Sequence, residues 1–254
     1  MKKHRHPENK KLSFLFSFLS VCFWVIVWHI AATLANRNLI LKIPLPMDTF
    51  RVFLADLGKR EFRSAVGTSL GHIALGFGSA VLIGTLGAVI AGNSRFFKTM
   101  SAPLLHLIRS VPVAAFIFIA WLWIPAAILP SFISALMVIP IIWSHADAGL
   151  SSADRRYSEL GRVYGMSERE IILRIRLPLL APHLRAGCIT GLGIAWKSGV
   201  AAEVICNPSG SVGALLQKGK ATIEYEEVFA VTLSVVLLSL LLEYLLTLIW
   251  KEKS

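Results

Sequence analysis

Long apolar runs, separated by short polar stretches, dominate this chain. Six of them approach the roughly 20 residues that a helix needs to cross a bilayer: 12–34, 66–91, 105–123, 126–146, 184–206 and 228–250. The third and fourth are joined by a tight turn around Pro125 and Pro130. The first follows the polar MKKHRHPENKK and outruns the apolar core of a cleavable leader, so it reads as a retained span. Between the first two spans, IPLPMDTFRVFLADLGKREF mixes charge with helical periodicity. It predicts an interfacial helix entered through Pro44 and Pro46. The expected architecture is an all-α integral membrane protein of one domain, 1–254. It comprises a tail and first span (1–35), an extracytoplasmic interfacial segment (36–65) and a five-helix core (66–254) with a polar loop at about 147–183.

Composition supports this pattern. The chain is 55% hydrophobic and 16% charged, where a soluble domain carries about a quarter charged residues. The net charge of +11 does not point to nucleic acid, because the basic residues sit in loops beside apolar spans; the expected surroundings are a lipid bilayer. Basic residues concentrate in the tail (Lys2, Lys3, Arg5, Lys10, Lys11) and between spans four and five (Arg155, Arg156, Arg162, Arg169, Arg174, Arg176, Arg185). The positive-inside rule then puts both termini and the 147–183 loop in the cytoplasm of a multi-pass cell-membrane protein. Arg37, Lys42, Arg51, Lys59, Arg60 and Arg63 after span one run against that bias, whereas Glu224, Glu226 and Glu227, opposite Lys218 and Lys220, fit the outside.

Span two carries Gly67, Gly71, Gly78, Gly84, Gly87 and Gly92. In lipid such residues let backbones approach, which predicts a central, packed helix. Cys22, Cys188 and Cys206 are odd in number and widely spaced, which indicates neither a disulfide framework nor a zinc site. They read as small hydrophobes.

The polar segment ELGRVYGMSEREIILRIRLP, 159–178, lies between nearly uncharged runs. Ser152 with Asp154 can start a helix, and Gly165 can end it in the left-handed conformation. Tyr157, Leu160 and Tyr164 then share one apolar face. Ser167 and Glu170 have capping-box spacing, so a second helix begins after the glycine. Leu177-Pro178 is expected to break or bend that helix before span five. The product is a helix–turn–helix that either lies on lipid headgroups through its arginines or offers its aromatic face to a soluble partner.

The spacing Glu159, Gly165, Ile175, Leu177, Pro178 resembles the EAA loop of ABC-importer permeases: E-A-A, three residues, G, nine residues, I-x-L-P. Leu160 and Gly161 stand where the family has alanines, and Gly161 inside a short helix suggests a helix that orders only on its partner. "LLHLIRSVPVAAF", "GIAWKSGVAAEVI" and the terminal span extend the likeness from about Ile43 onward, toward the nitrate/sulfonate/taurine branch. The resemblance implies the type I importer permease fold and a transport role without catalysis. It implies a homodimer of permeases, two cytoplasmic ABC ATPases gripping the loop, and an extracytoplasmic solute-binding protein. ATP would be bound by the ATPase and no cofactor by this chain. The implied coupling residues are Tyr157, Glu159, Leu160, Gly161, Tyr164, Gly165, Ile175, Leu177 and Pro178. The implied solute is a small anion.

Lys197 and Glu203 are charges inside span five, where charge is costly and usually faces a cavity or partner. Six positions place them about 240° apart around a helix, so they do not pair with each other. Lys197 can attract an anion on a translocation path, with Glu203 beside it, or each can pair with a neighbouring helix. His29, His72, His106, His145 and His183 show no metal-binding spacing and read as helix–helix hydrogen-bond partners. Asp147 marks the cytoplasmic boundary of span four, and Arg109 with Pro112 the start of span three. A secondary transporter or an integral-membrane enzyme with an amphipathic hairpin are the competing functions. No internal repeat supports the first, and no P-loop, G-x-S-x-G or paired intramembrane carboxylates support the second.

Overall fold

The computed structural model describes residues 10–37, 42–152 and 155–251. Lys2, Lys3, Arg5 and Asp154 lie outside the described residues, as does the side chain of Ser152, so the helix start expected there falls outside them too. Every regular element among the described residues is helical. In chain order these are α1 (Lys10–Ala35), α2 (Pro46–Gly58), α3 (Arg60–Asn93), α4 (Arg95–Ser110), α5 (Val113–Trp121) and α6 (Leu129–Ser152). There follow α7 (Arg155–Val163), α8 (Glu168–Ile171), a π-helical turn (Ile172–Arg176), α9 (Leu177–Cys206), α10 (Val212–Ala221) and α11 (Tyr225–Lys251).

Among the described residues, five helices are long and apolar enough to cross a membrane, and a bent pair makes a sixth if counted as one span. The bent pair corrects the expected straight span at 105–123. α4 and α5 meet at 105°. The cause is Pro112, which excludes the α region for the residue before it; Val111 sits at φ −85°, ψ 132°. Arg109 lies just before this break. Its guanidinium donates to the Pro140 carbonyl at 2.6 Å and to Ser144 Oγ, tying α4 to α6. Lys98 and Asp147, 3.4 Å apart, make a second tie between the same helices.

The core is α6 sandwiched between α3 and α9, and small residues bring the backbones together. On α3, a Cβ at Gly87 would stand 2.0 Å from the Trp143 ring, and one at Gly84 2.9 Å from Ile142. On α9, Gly187 lies against His145 and Gly199 against Ser134 and Ile73. Ser134 Oγ also donates to the Ala195 carbonyl at 3.0 Å. The glycine face of α3 is narrower than expected. Gly84 and Gly87 pack, with Gly76 against Ser131 and Ser134, whereas Gly67, Gly71 and Gly78 face open space.

α3 begins at Arg60, separated from α2 by Lys59 alone, so the expected interfacial segment 36–65 takes in the first turn of α3. Pro46 opens α2, where its missing N–H costs nothing. Lys59 Nζ reaches the buried Asp56 Oδ1 at 2.7 Å, and this contact pushes the ammonium pKa up. Similarly Lys218 of α10 pairs with Glu61 of α3 at 3.1 Å, which raises its pKa. α1 stands at the periphery; its Trp28 ring stacks on Phe229 of α11 at 5.9 Å. Cys188 and Cys206 are buried, but Cys22 on α1 is only half-buried, and all three thiols are free.

Leu177-Pro178 does not break the helix before span five. α8, the π turn and α9 run on without a gap, so that one helical unit spans Arg169–Cys206. Proline removes an N–H and crowds the carbonyl four residues back. Here the wider π turn ends at Arg176 and Pro178 falls in the first turn of α9. At about 1.5 Å per residue these 38 residues reach about 57 Å, well beyond the ~30 Å hydrocarbon core. The segment 147–183 thus takes in the end of α6 and the start of α9 as well as the hairpin between them.

Candidate functional site

The hairpin 155–176 is shaped by three local devices. Gly165 has φ +75°. Around it the Met166 N–H donates to the Gly161 carbonyl at 2.9 Å and the Gly165 N–H to the Arg162 carbonyl at 3.0 Å. These two bonds are the Schellman closure, and they require the left-handed residue that glycine supplies most cheaply. Next comes the capping box. The Ser167 N–H donates to Glu170 Oε2 at 3.0 Å, and the Glu170 N–H donates to Ser167 Oγ at 3.4 Å. Ser167 Oγ also donates to the same carboxylate oxygen, and Arg174 approaches Glu170 at 3.8 Å.

The third device is Gly161. A Cβ there would stand 3.2 Å from both Ile171 and Ile175 and 3.4 Å from the Met166 sulfur. Gly161 is therefore the face by which α7 rests on the stem, and the loss of propensity from glycine is offset by the close approach it permits. Ile175 is a half-buried packing residue inside the hairpin, whereas Leu177 and Pro178 are exposed on the stem. Tyr157, Leu160 and Tyr164 are exposed, joined by Val163 at 84%. Glu159 is exposed on the same short helix. The sequence pattern had omitted Val163, although it adjoins Tyr164.

The two charges of span five part company. Lys197 is exposed on α9. Glu203 is fully buried, accepting from Ser69 Oγ at 2.6 Å and from the Gly213 N–H at 3.2 Å, with His72 Nδ1 at 2.8 Å. Ser69 Oγ accepts from the Val212 N–H at 2.9 Å. One carboxylate thus staples α9, α3 and α10 together, and the expectation of Glu203 on an open path gives way to a structural role. Gly213 makes this possible, because a Cβ there would fall 2.3 Å from that of Glu203. α10 itself was not anticipated, although Ser211, whose hydroxyl accepts from the Ala214 N–H at 3.1 Å, is an ordinary N-cap. Among the described residues no group of three His, Cys, Asp or Glu could hold a metal ion.

Residues 80–252 match the family of binding-protein-dependent transport system inner membrane components. The chain is 26% identical over 216 residues to the nitrate import permease protein NrtB of Synechocystis sp., covering 78% of each chain. It is 26% identical over 248 residues to the taurine transport system permease protein TauC of Escherichia coli, covering 95% of this chain and 88% of that one. A bicarbonate transport system permease protein, CmpB of Synechococcus elongatus, is 32% identical over 149 residues, which is 57% of this chain and 52% of that one. In fold, the chain is similar to the crystal structure of an amino acid ABC transporter with histidines, at a TM-score of 0.61 and 19% identity, over 76% of this chain and 94% of that one. A helical bundle with five or six apolar helices, an EAA-spaced hairpin and a family match over two thirds of its length make this chain a member of the binding-protein-dependent transport inner membrane components, the permeases of ABC importers.

Proposed function

We propose that this permease imports a small anion, driven by a cytoplasmic ABC ATPase that grips the 155–176 hairpin. The observation that carries the reading is the outward face of α7: Tyr157, Leu160, Val163 and Tyr164 stand exposed on a helix whose direction is fixed by Gly165 and Gly161. An apolar face on a rigid projection suits an amphipathic helix-in-groove contact. Glu159 supplies a polar contact to the ATPase beside it. Leu177 and Pro178 carry the motion into α9, which with α8 and the π turn makes the longest helical unit in the core.

The mechanism is a two-state change. ATP binding closes two ATPases on one another, the docked hairpins follow, and the spans of a permease homodimer rock between inward- and outward-facing forms. An extracytoplasmic binding protein delivers the solute, and both termini face the cytoplasm. The named solutes of the similar permeases, nitrate, bicarbonate and taurine, each bear an anionic group. Lys197, an exposed cation inside the apolar part of α9, is the proposed contact on the path.

Solubilised permease is expected to co-purify with an ATPase subunit, and membrane vesicles are expected to take up solute only with ATP and the binding protein. Uptake that proceeds without any ATPase overturns the proposal in favour of a secondary transporter. A hairpin protected by lipid vesicles alone supports the headgroup-lying alternative.

A further inference from the structure

Two opposite charges within the apolar helices have side chains with no hydrogen bond or ion pair among the described residues: Lys197 on α9 and Glu243 on α11. Uncompensated charge in a span is costly and marks function by default. The two are not far apart. Glu243 Oε1 lies 2.6 Å from the position a Cβ would take on Gly193. The carboxylate therefore rests against bare α9 backbone, in a slot that any larger residue would close.

Lys197 is four residues beyond Gly193, about 40° around the helix and about 6 Å along it. Side chains lean toward the N-terminus of their helix, so the lysine stem tilts back over the turn that carries Gly193. Trp196 Nε1 donates to the Val235 carbonyl at 3.0 Å and holds α9 against α11, which keeps the two charges in this register. Both side chains therefore border the same turn of α9.

We propose that Lys197 and Glu243 form an intramembrane switch pair. The ammonium closes on Glu243 when the path is empty and opens to receive the anionic group of a passing solute. The inference rests on the path role proposed for Lys197 and adds the counter-ion that competes with the solute for it. Glu243 then sets how strongly an anion must bind to displace it, and it keeps Lys197 from holding an anion too long.

The test needs no knowledge of the solute. In the full chain with Cys22, Cys188 and Cys206 replaced by alanine, Lys197→Cys is labelled with a cationic and an anionic methanethiosulfonate reagent of similar size. Any effect of Glu243 on the thiol's own ionisation cancels in the ratio of the two rates. With Glu243 present the ratio is expected to favour the cationic reagent, and Glu243→Gln is expected to lower it about tenfold. Labelling with a ratio that Glu243→Gln leaves unchanged overturns the pair but supports the aqueous path. Absence of labelling by either reagent, in a chain that still binds its ATPase, overturns the path role instead. A membrane-permeant short bis-maleimide on the Lys197→Cys/Glu243→Cys chain then decides proximity, and absence of an intramolecular cross-link overturns the pair. Thr190→Cys, exposed on the same helix three residues before Gly193, repeats the comparison if Lys197→Cys does not accumulate.

Discussion

Ser69 on α3 donates a 2.6 Å hydrogen bond to Glu203 on α9, joining residues 134 positions apart at the point where α10 folds back onto both helices. The same hydroxyl accepts from the Val212 N–H. Ser69→Ala therefore leaves two buried groups short of a partner. A buried polar group left without its hydrogen bond costs about 1–3 kcal/mol. The expected result is a clear fall in the thermal midpoint of the purified protein in detergent, whereas Thr68→Ala, half-buried next door and bonded only to the Ser64 carbonyl, is expected to shift it little.

Gly165 holds φ +75° between the two helices of the hairpin. A β-branched residue is strained there, by about 1–2 kcal/mol or more. Gly165→Val is expected to leave the amount of permease in the membrane unchanged while lowering both ATPase co-purification and uptake. Space is not the cause, because nothing lies within 4 Å of a Cβ at this position; Gly165→Asn, which tolerates the left-handed region, is expected to retain most of the activity.

Gly161 separates propensity from packing. Alanine gains about 1 kcal/mol of helix propensity over glycine, and its Cβ would press at 3.2 Å on Cγ1 of the buried Ile171 and on the terminal methyl of Ile175. Propensity gained and crowding introduced oppose each other, so Gly161→Ala is expected to be close to neutral in uptake and thermal midpoint. Gly161→Leu cannot be accommodated without prising α7 off the stem, and it is expected to reduce ATPase binding severalfold.

On α3 the glycines divide into two groups that mutagenesis can tell apart. Gly87→Ala places a methyl inside the Trp143 ring and is expected to lower expression and thermal midpoint sharply, with partial rescue by Trp143→Leu. Gly67→Ala meets open space in the single chain and is expected to be neutral or slightly stabilising by the same midpoint measurement.

How much the sequence revealed depended on range. The Schellman glycine and the Ser167–Glu170 box were legible because each is a pattern within five residues, and its partners are fixed by backbone geometry. The spans were legible because about 20 apolar residues in a row have few other fates. The break at Pro112 was missed because hydropathy averages over it, although the proline was in plain view. The π turn that lets Pro178 begin α9 has no sequence signature at all. Glu203 could be flagged as a costly intramembrane charge, but its partners Ser69, His72 and Gly213 come from two other helices, and no local pattern announces them. Gly76 and Gly67 look alike in sequence; only the position of α6 separates a packed glycine from an open one. Glu243 passed unnoticed because a lone carboxylate inside the apolar run of α11 gives no hint that a bare glycine faces it.

The central claim is that the outward face of α7 meets an ATPase, and site-specific photo-crosslinking tests it most directly. A benzophenone amino acid in place of Leu160 is to be compared with one in place of Leu86, exposed on α3 far along the chain from the hairpin. In native membranes containing the assembled importer, the Leu160 position is expected to yield a single product with the combined mass of permease and ATPase, and the Leu86 position none. Cross-linking from Leu160 to lipid alone, with ATPase present and bound, contradicts the account.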